Sequence, residues 1–263
     1  MTTQSLVGPR ADRLEPLSTG ERWMADARQV YGIRGGMVQC FIDMTQAKAA
    51  IQTLRGGGLS ATFDHLVVRA AALALSRTPG LYQTVCGYQR VSSERVDIGL
   101  STGSLATDLP LVLEGVDRTP LADMAAAIEE ATVKARATEA RLGGTEWRAP
   151  FGFLRRWLLR RWSRRLAARR RIAGTFEVSC NPNADIVVPL RFYSDAMLSL
   201  GRVHDVVVDV DGQPAIRPMA WLTLSVDHVA MDGVRGAALI NAVKELLEGD
   251  ELPAEASNAI AGR

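Results

Sequence analysis

Residues 206–247 read as two alternating apolar runs joined at Asp211-Gly212 and followed directly by an amphipathic pattern. Asp-Gly between such runs predicts a tight hairpin, because both central residues of its turn must tolerate positive φ. In the second run Leu222, Leu224 and Val226 fall on one side, and His228 continues that parity just past the strand end. Asp232 and Gly233 then turn the chain into a helix over 233–247. Its buried stripe is Leu239, Val243, Leu246 and Leu247, and its wet side carries Arg235, Lys244, Glu245 and Glu248. A hairpin that feeds an amphipathic helix calls for a sheet with helices packed against it, an α/β architecture.

The rest of the chain fits that class. Helical spacing predicts helices over 19–30, 45–54, 60–77 and 120–142, and strands over 37–43, 83–85, 96–101, 109–114 and 175–180. The helix at 60–77 is rich in alanine, so something packs close to it. Residues 1–18 read as a flexible arm and 249–263 as a frayed tail, leaving 19–248 as the folded domain.

The chain has 263 residues, 47% of them hydrophobic and 23% charged, with a net charge of +2. That balance is ordinary for a soluble globular protein and selects no acidic or basic partner for the molecule as a whole. Cys40, Cys86 and Cys180 are odd in number and far apart, which argues against a disulfide framework or a zinc site. With no apolar leader and no long apolar stretch, the expected location is the cytoplasm.

His228 is the residue with chemical potential. An imidazole titrating near neutrality, projected from a stiff strand end, can take a proton from a thiol or hydroxyl and return it. A plainer reading stands beside this one. Asp232 is a good N-cap for the helix that follows, and a histidine at a strand end can be an ordinary surface residue.

The context of HxxxDG favours chemistry. The segment resembles the signature of the chloramphenicol acetyltransferases and of the catalytic domains of 2-oxoacid dehydrogenase acyltransferases. Residues 63–91, 96–136, 174–180 (GTFEVSC) and 200–233 are similar to successive parts of that family, so the likeness runs from about residue 21 to 247. It implies a chloramphenicol acetyltransferase-like two-layer sandwich with a mixed sheet, assembled as a homotrimer. It also implies an acyltransferase using coenzyme A or acyl-coenzyme A as substrate, with no metal, and a small hydroxyl, amine or thiol acceptor. A lipoyl group carried on a separate protein is the alternative acceptor.

Under the resemblance His228 is the general base, Ser179 donates to the oxyanion, and Asp232 orients the site. Asp232 is expected to pair with Arg22, or failing that Arg28, while Gly233 keeps the turn tight. Two departures touch the acceptor side. Cys180-Asn181-Pro182-Asn183 replaces the family's usual run after the serine, and Val229 stands where an arginine often follows the histidine. The chain carries no recognisable lipoyl domain, so a stand-alone member without covalently attached lipoyl is expected. His65 and His204 match nothing catalytic, and Cys180 reads as a small packing residue.

Residues 148–171 form a basic insertion with no acidic residue. Leu154, Trp157, Leu158, Trp162 and Leu166 share one helical face; Arg156, Arg160, Arg164 and Arg171 share the other, with Arg161 and Arg165 flanking. The segment could cover the domain with its apolar face or bind coenzyme A phosphates. Residues 151–171 could instead dock on an anionic membrane surface or an acidic partner. Nucleic acid is disfavoured for want of a recognised motif. A scaffold built around this helix, without catalysis, is the third functional class.

Overall fold

The computed structural model describes residues 12–31, 35–102, 110–144, 153, 157, 161, 165–189 and 194–262. A mixed sheet dominates, in the order β2 (Gly36–Asp43), β10 (Gln213–Val226), β8 (Ala196–Leu200), β7 (Phe176–Cys180), β5 (Ile98–Ser101), β6 (Leu111–Leu113), and β9 (His204–Val210) pairs with the outer half of β10. The β5–β7 and β7–β8 pairs are parallel and the others antiparallel. A second, smaller sheet has the order β1 (Arg13–Pro16), β4 (Gln89–Ser92), β3 (Thr84–Cys86).

Strand alternation separates the two faces of the large sheet. Ile98, Leu100, Phe176, Val178, Leu198, Leu222, Leu224 and Val226 are all buried toward one side. There α2 (Thr45–Gly56), α3 (Phe63–Arg77) and α6 (Gly233–Glu248) pack. Each large aliphatic chain so buried contributes roughly 1.5–3 kcal/mol. Helix α3 lies at the centre: Leu66, Val67, Ala70, Ala71 and Ala72 are fully buried, and the alanines permit close approach on more than one side. Around the edge lie α1 (Thr19–Tyr31), α4 (Met124–Gly144), α5 (Leu166–Ala173) and α7 (Glu251–Ala261).

Asp211 (φ 54°) and Gly212 (φ 79°) form the hairpin turn, both in the left-handed region as its two-residue loop requires. Gly174 (φ 69°) joins α5 to β7, and any β-carbon there would collide with the carbonyl of Asp97. This close approach sets β7 against β5.

Both expected chain ends are corrected. Arg13–Pro16, assigned to a flexible arm, pairs antiparallel with Gln89–Ser92. The expected frayed tail forms α7, whose Leu252 and Ala256 are fully buried. Arg69 and Arg77 on α3 hold Glu255 and Glu251 of that helix. Among the described residues no helix is long and apolar enough to cross a membrane.

Candidate active site

β10 ends at Val226, and residues 227–231 make a compact turn before α6. The Asp227 carbonyl accepts from the amides of Ala230 (3.0 Å) and Met231 (2.9 Å), and its Oδ1 accepts from Val229 N (3.0 Å). Val229, Ala230 and Met231 are buried at 4%, 0% and 1% exposure, and Asp227 at 7%. His228 alone in this turn is exposed. Three apolar neighbours anchor the loop in the core while the imidazole is turned outward.

Two outside groups grip the backbone on either side of the histidine. Asp227 N donates to Asp195 O at 2.7 Å, and an Arg90 terminal nitrogen donates to Val229 O at 3.1 Å. Arg90 is itself buried and ion-paired with Glu21 of α1. The Asp195 carboxylate accepts from Val85 N (2.8 Å) and pairs with Arg169 of α5 (2.9 Å). None of Glu21, Arg90, Arg169, Asp195 and Asp227 was singled out in the sequence. Only Asp227, next to the histidine, had a local signal; the other four are distant in the chain and sit in stretches without a motif.

Asp232 caps α6, its Oδ1 accepting from Arg235 N at 2.8 Å. That amide hydrogen bond, foremost, holds its carboxyl below the usual 3.8. Its ionic partner is Arg235 on the same helix (3.7 Å), and the expected pairing with Arg22 is not made. Arg22 Nε instead donates to Leu17 O at 3.0 Å. A cation one turn along α6 reaches the carboxylate more directly than one from α1, and Glu21, not Arg22, links α1 to the loop through Arg90. The side chain of Arg28 lies outside the described residues. At Gly233 a β-carbon would meet open space, so the turn does not require glycine there.

Ser179 lies on the sheet face opposite the helices. In register with it run Ser101 on β5, Ser199 on β8, Thr223 on β10 and Gln39 on β2. The far members are tied: Gln39 donates to Thr223 Oγ1 (3.0 Å) and Ser199 donates to Val187 O (2.6 Å). Among the described residues no hydrogen bond to the Ser179 hydroxyl is seen. The register also separates it from His228. The serine row crosses β10 at Thr223, five residues before His228 and two strands away from Ser179. At about 3.3 Å per residue and 4.8 Å per strand this amounts to roughly 15–20 Å, beyond side-chain reach within one chain.

The remaining candidates fall into structural roles. His65 is buried in the α3 capping box, where its Nδ1 accepts from Thr62 N at 3.1 Å, and burial lowers its pKa. His204 is exposed, and the three cysteines are free. Burial, followed by the Asp64 carboxylate, pushes the Cys180 thiol well up, which suits packing rather than attack.

In the basic insertion Arg169 also donates to Val85 O (2.6 Å), and Arg170 pairs with Asp12 (2.8 Å). Those two arginines are internal staples. Phe153 and Trp157 are helical but 65% and 56% exposed, so the expected covering face fails at Trp157. Leu154, Leu158 and Trp162 lie outside the described residues.

Residues 192–254, which contain the His228 turn, match the family of 2-oxoacid dehydrogenases acyltransferase (catalytic domain). The dihydrolipoyllysine-residue succinyltransferase component of the 2-oxoglutarate dehydrogenase complex of Rickettsia bellii is 26% identical over 200 residues. That alignment takes in 74% of this chain and 43% of that protein's length. A dihydrolipoamide acetyltransferase of Azotobacter vinelandii aligns with a TM-score of 0.61 at 20% identity, over 92% of each chain. It has been the subject of work on a serine, a histidine and an asparagine in its catalytic mechanism. A chloramphenicol acetyltransferase aligns with a TM-score of 0.52 at 11% identity, over 89% of this chain and 100% of that one. The chain thus has the chloramphenicol acetyltransferase-like fold, and its segment 192–254 carries the match to the 2-oxoacid dehydrogenase acyltransferase family that the HxxxDG pattern resembled.

Proposed function

We propose that this protein transfers an acyl group between coenzyme A and an acceptor thiol, with His228 as general base. The acceptor best supported by the relatives is a lipoyl group on a separate domain or protein, since those relatives are named for dihydrolipoyllysine and dihydrolipoamide. A small hydroxyl or amine acceptor is the second choice. The observation that carries the reading is the His228 turn: one exposed imidazole on a backbone loop that is buried and hydrogen-bonded on both flanks.

In the reaction His228 takes the proton of the attacking thiol, and the sulfur adds to the thioester carbonyl carbon. The oxyanion that forms accepts a hydrogen bond from the Ser179 hydroxyl. Collapse breaks the original carbon–sulfur bond, and the imidazolium returns its proton to the departing thiolate. Asp232 fixes the start of α6 behind the turn. The Azotobacter protein, with its serine, histidine and asparagine, supports this set of three. Because Ser179 and His228 of one chain are too far apart to share a substrate, the active form brings the serine of one subunit to the histidine of the next, and the homotrimer that the family resemblance implies is the assembly proposed for it.

His228→Ala is expected to lower kcat by about 10²–10⁴-fold while the far-UV and thermal signatures of the fold persist. Assayed with acyl-coenzyme A and either free dihydrolipoamide or a lipoyl domain, unchanged turnover would remove the proposal. Failure with both lipoyl acceptors, alongside activity on a small alcohol or amine, would reassign the acceptor alone.

A further inference from the structure

We infer that Arg90 and Asp195 are positioning residues for His228, fixing the direction of its imidazole by gripping the backbone on each side of it. This rests on the role of His228 as base. Both grips root in the small sheet. Arg90 lies on β4 directly opposite Val85 on β3. Arg90 holds Val229 O, while the Asp195 carboxylate is held by Val85 N and its carbonyl accepts from Asp227 N. One pair of register partners therefore reaches both flanks of the histidine.

The choice of residues argues for geometry rather than stability. Arg90 is 8% exposed and Asp195 9%. Their counter-ions, Glu21 and Arg169, come from separate elements, α1 and α5. Well-packed apolar residues stabilise a buried site as well as such ion pairs do, or better. What a charge-assisted hydrogen bond adds is direction. Here the charge-assisted bond from Arg90 falls on the carbonyl of the residue after His228, and the Asp195 carboxylate ties to Val85 N the backbone whose carbonyl accepts from Asp227 N, the residue before it. Val229, Ala230 and Met231 already anchor the loop by packing, so the polar grips act chiefly on its orientation.

The test uses the full chain carrying Arg90→Lys, which keeps a charge beside Glu21 but replaces the planar guanidinium, steadied at its other terminal nitrogen by Gln83, with a freely rotating ammonium that fixes no direction toward Val229 O. The expected result is a fall in kcat of about ten- to a hundredfold, with KM for acyl-coenzyme A within about twofold of wild type. In a His228→Ala background the same substitution is expected to leave the residual rate unchanged, since its effect runs through the imidazole. A folded Arg90→Lys protein with unaltered kcat overturns the inference, and so does an equal fractional loss in both backgrounds. If Arg90→Lys does not fold, Asp195→Ala, which removes the carboxylate held by Val85 N, is measured in the same way against the same two outcomes.

Long-range ¹H–¹⁵N spectra of the His228 ring separate this inference from the functional proposal. Wild type inactive on every acceptor would sink the proposal. The ring resonances would still test the positioning: a changed tautomer ratio in Arg90→Lys supports it, and unchanged resonances refute it.

Discussion

A histidine beyond a strand and an aspartate opening a helix are each common, and their combination here is set by what surrounds them. The Arg235 amide that points at Asp232 favours its charged form. Its folded pKa is depressed, so the stability it adds is present above its unfolded value near 3.8 and is lost as pH falls through the folded value. Asp232→Asn keeps a capping oxygen without that titration. The gap in Tm between wild type and this variant is expected to shrink between pH 5 and pH 3, and a constant gap would contradict the assignment. Ser179→Ala is expected to cost about 10²–10³-fold in kcat with little change in Tm, since the described structure gives its hydroxyl no bond to lose. Tm with and without the substitution, alongside kcat, checks this.

At the scale of elements, legibility followed local pattern. The Asp211-Gly212 hairpin, α3 and α6 were readable because turn chemistry and periodicity coincide there. β8 (AMLSL) was missed because it is buried on both faces, so its residues do not alternate in polarity. β1 and β4 are four-residue strands too short to show a pattern of their own, and they take their structure from pairing, β1 with β4 and β4 also with β3. α7 was taken for a tail because just two of its residues, Leu252 and Ala256, are fully buried, and Pro253 reads as a breaker. That proline sits in the first turn, where its missing amide costs nothing. Leu252→Ala is expected to destabilise the protein by about 2–5 kcal/mol in urea unfolding. A loss under about 0.5 kcal/mol would mean that the helix is ornamental.

The same logic divides the site. The HxxxDG segment was legible because its histidine and cap are four residues apart. Glu21, Arg90, Arg169 and Asp195 were not, because their meeting depends on how two sheets and two peripheral helices come together. The Arg22 expectation failed for the same reason: residue type and position on α1 were right for a cation, but the side chain turns to Leu17 O.

For the whole molecule, the decisive feature is the separation between Ser179 and His228 along the sheet. It makes a single chain catalytically incomplete under the proposed mechanism and demands a neighbour. Arg169 and Arg170 of the basic insertion are engaged in internal contacts. The measurement that bears most directly on the account is complementation. Chains carrying His228→Ala and chains carrying Ser179→Ala are each nearly inactive alone, and are co-expressed in equal amounts so that mixed trimers form. Random mixing leaves one intact serine–histidine pair in every mixed trimer, so recovery of about a quarter of wild-type activity is expected. Activity no higher than that of the separate variants, in trimers proven to be mixed, would contradict a site shared between subunits.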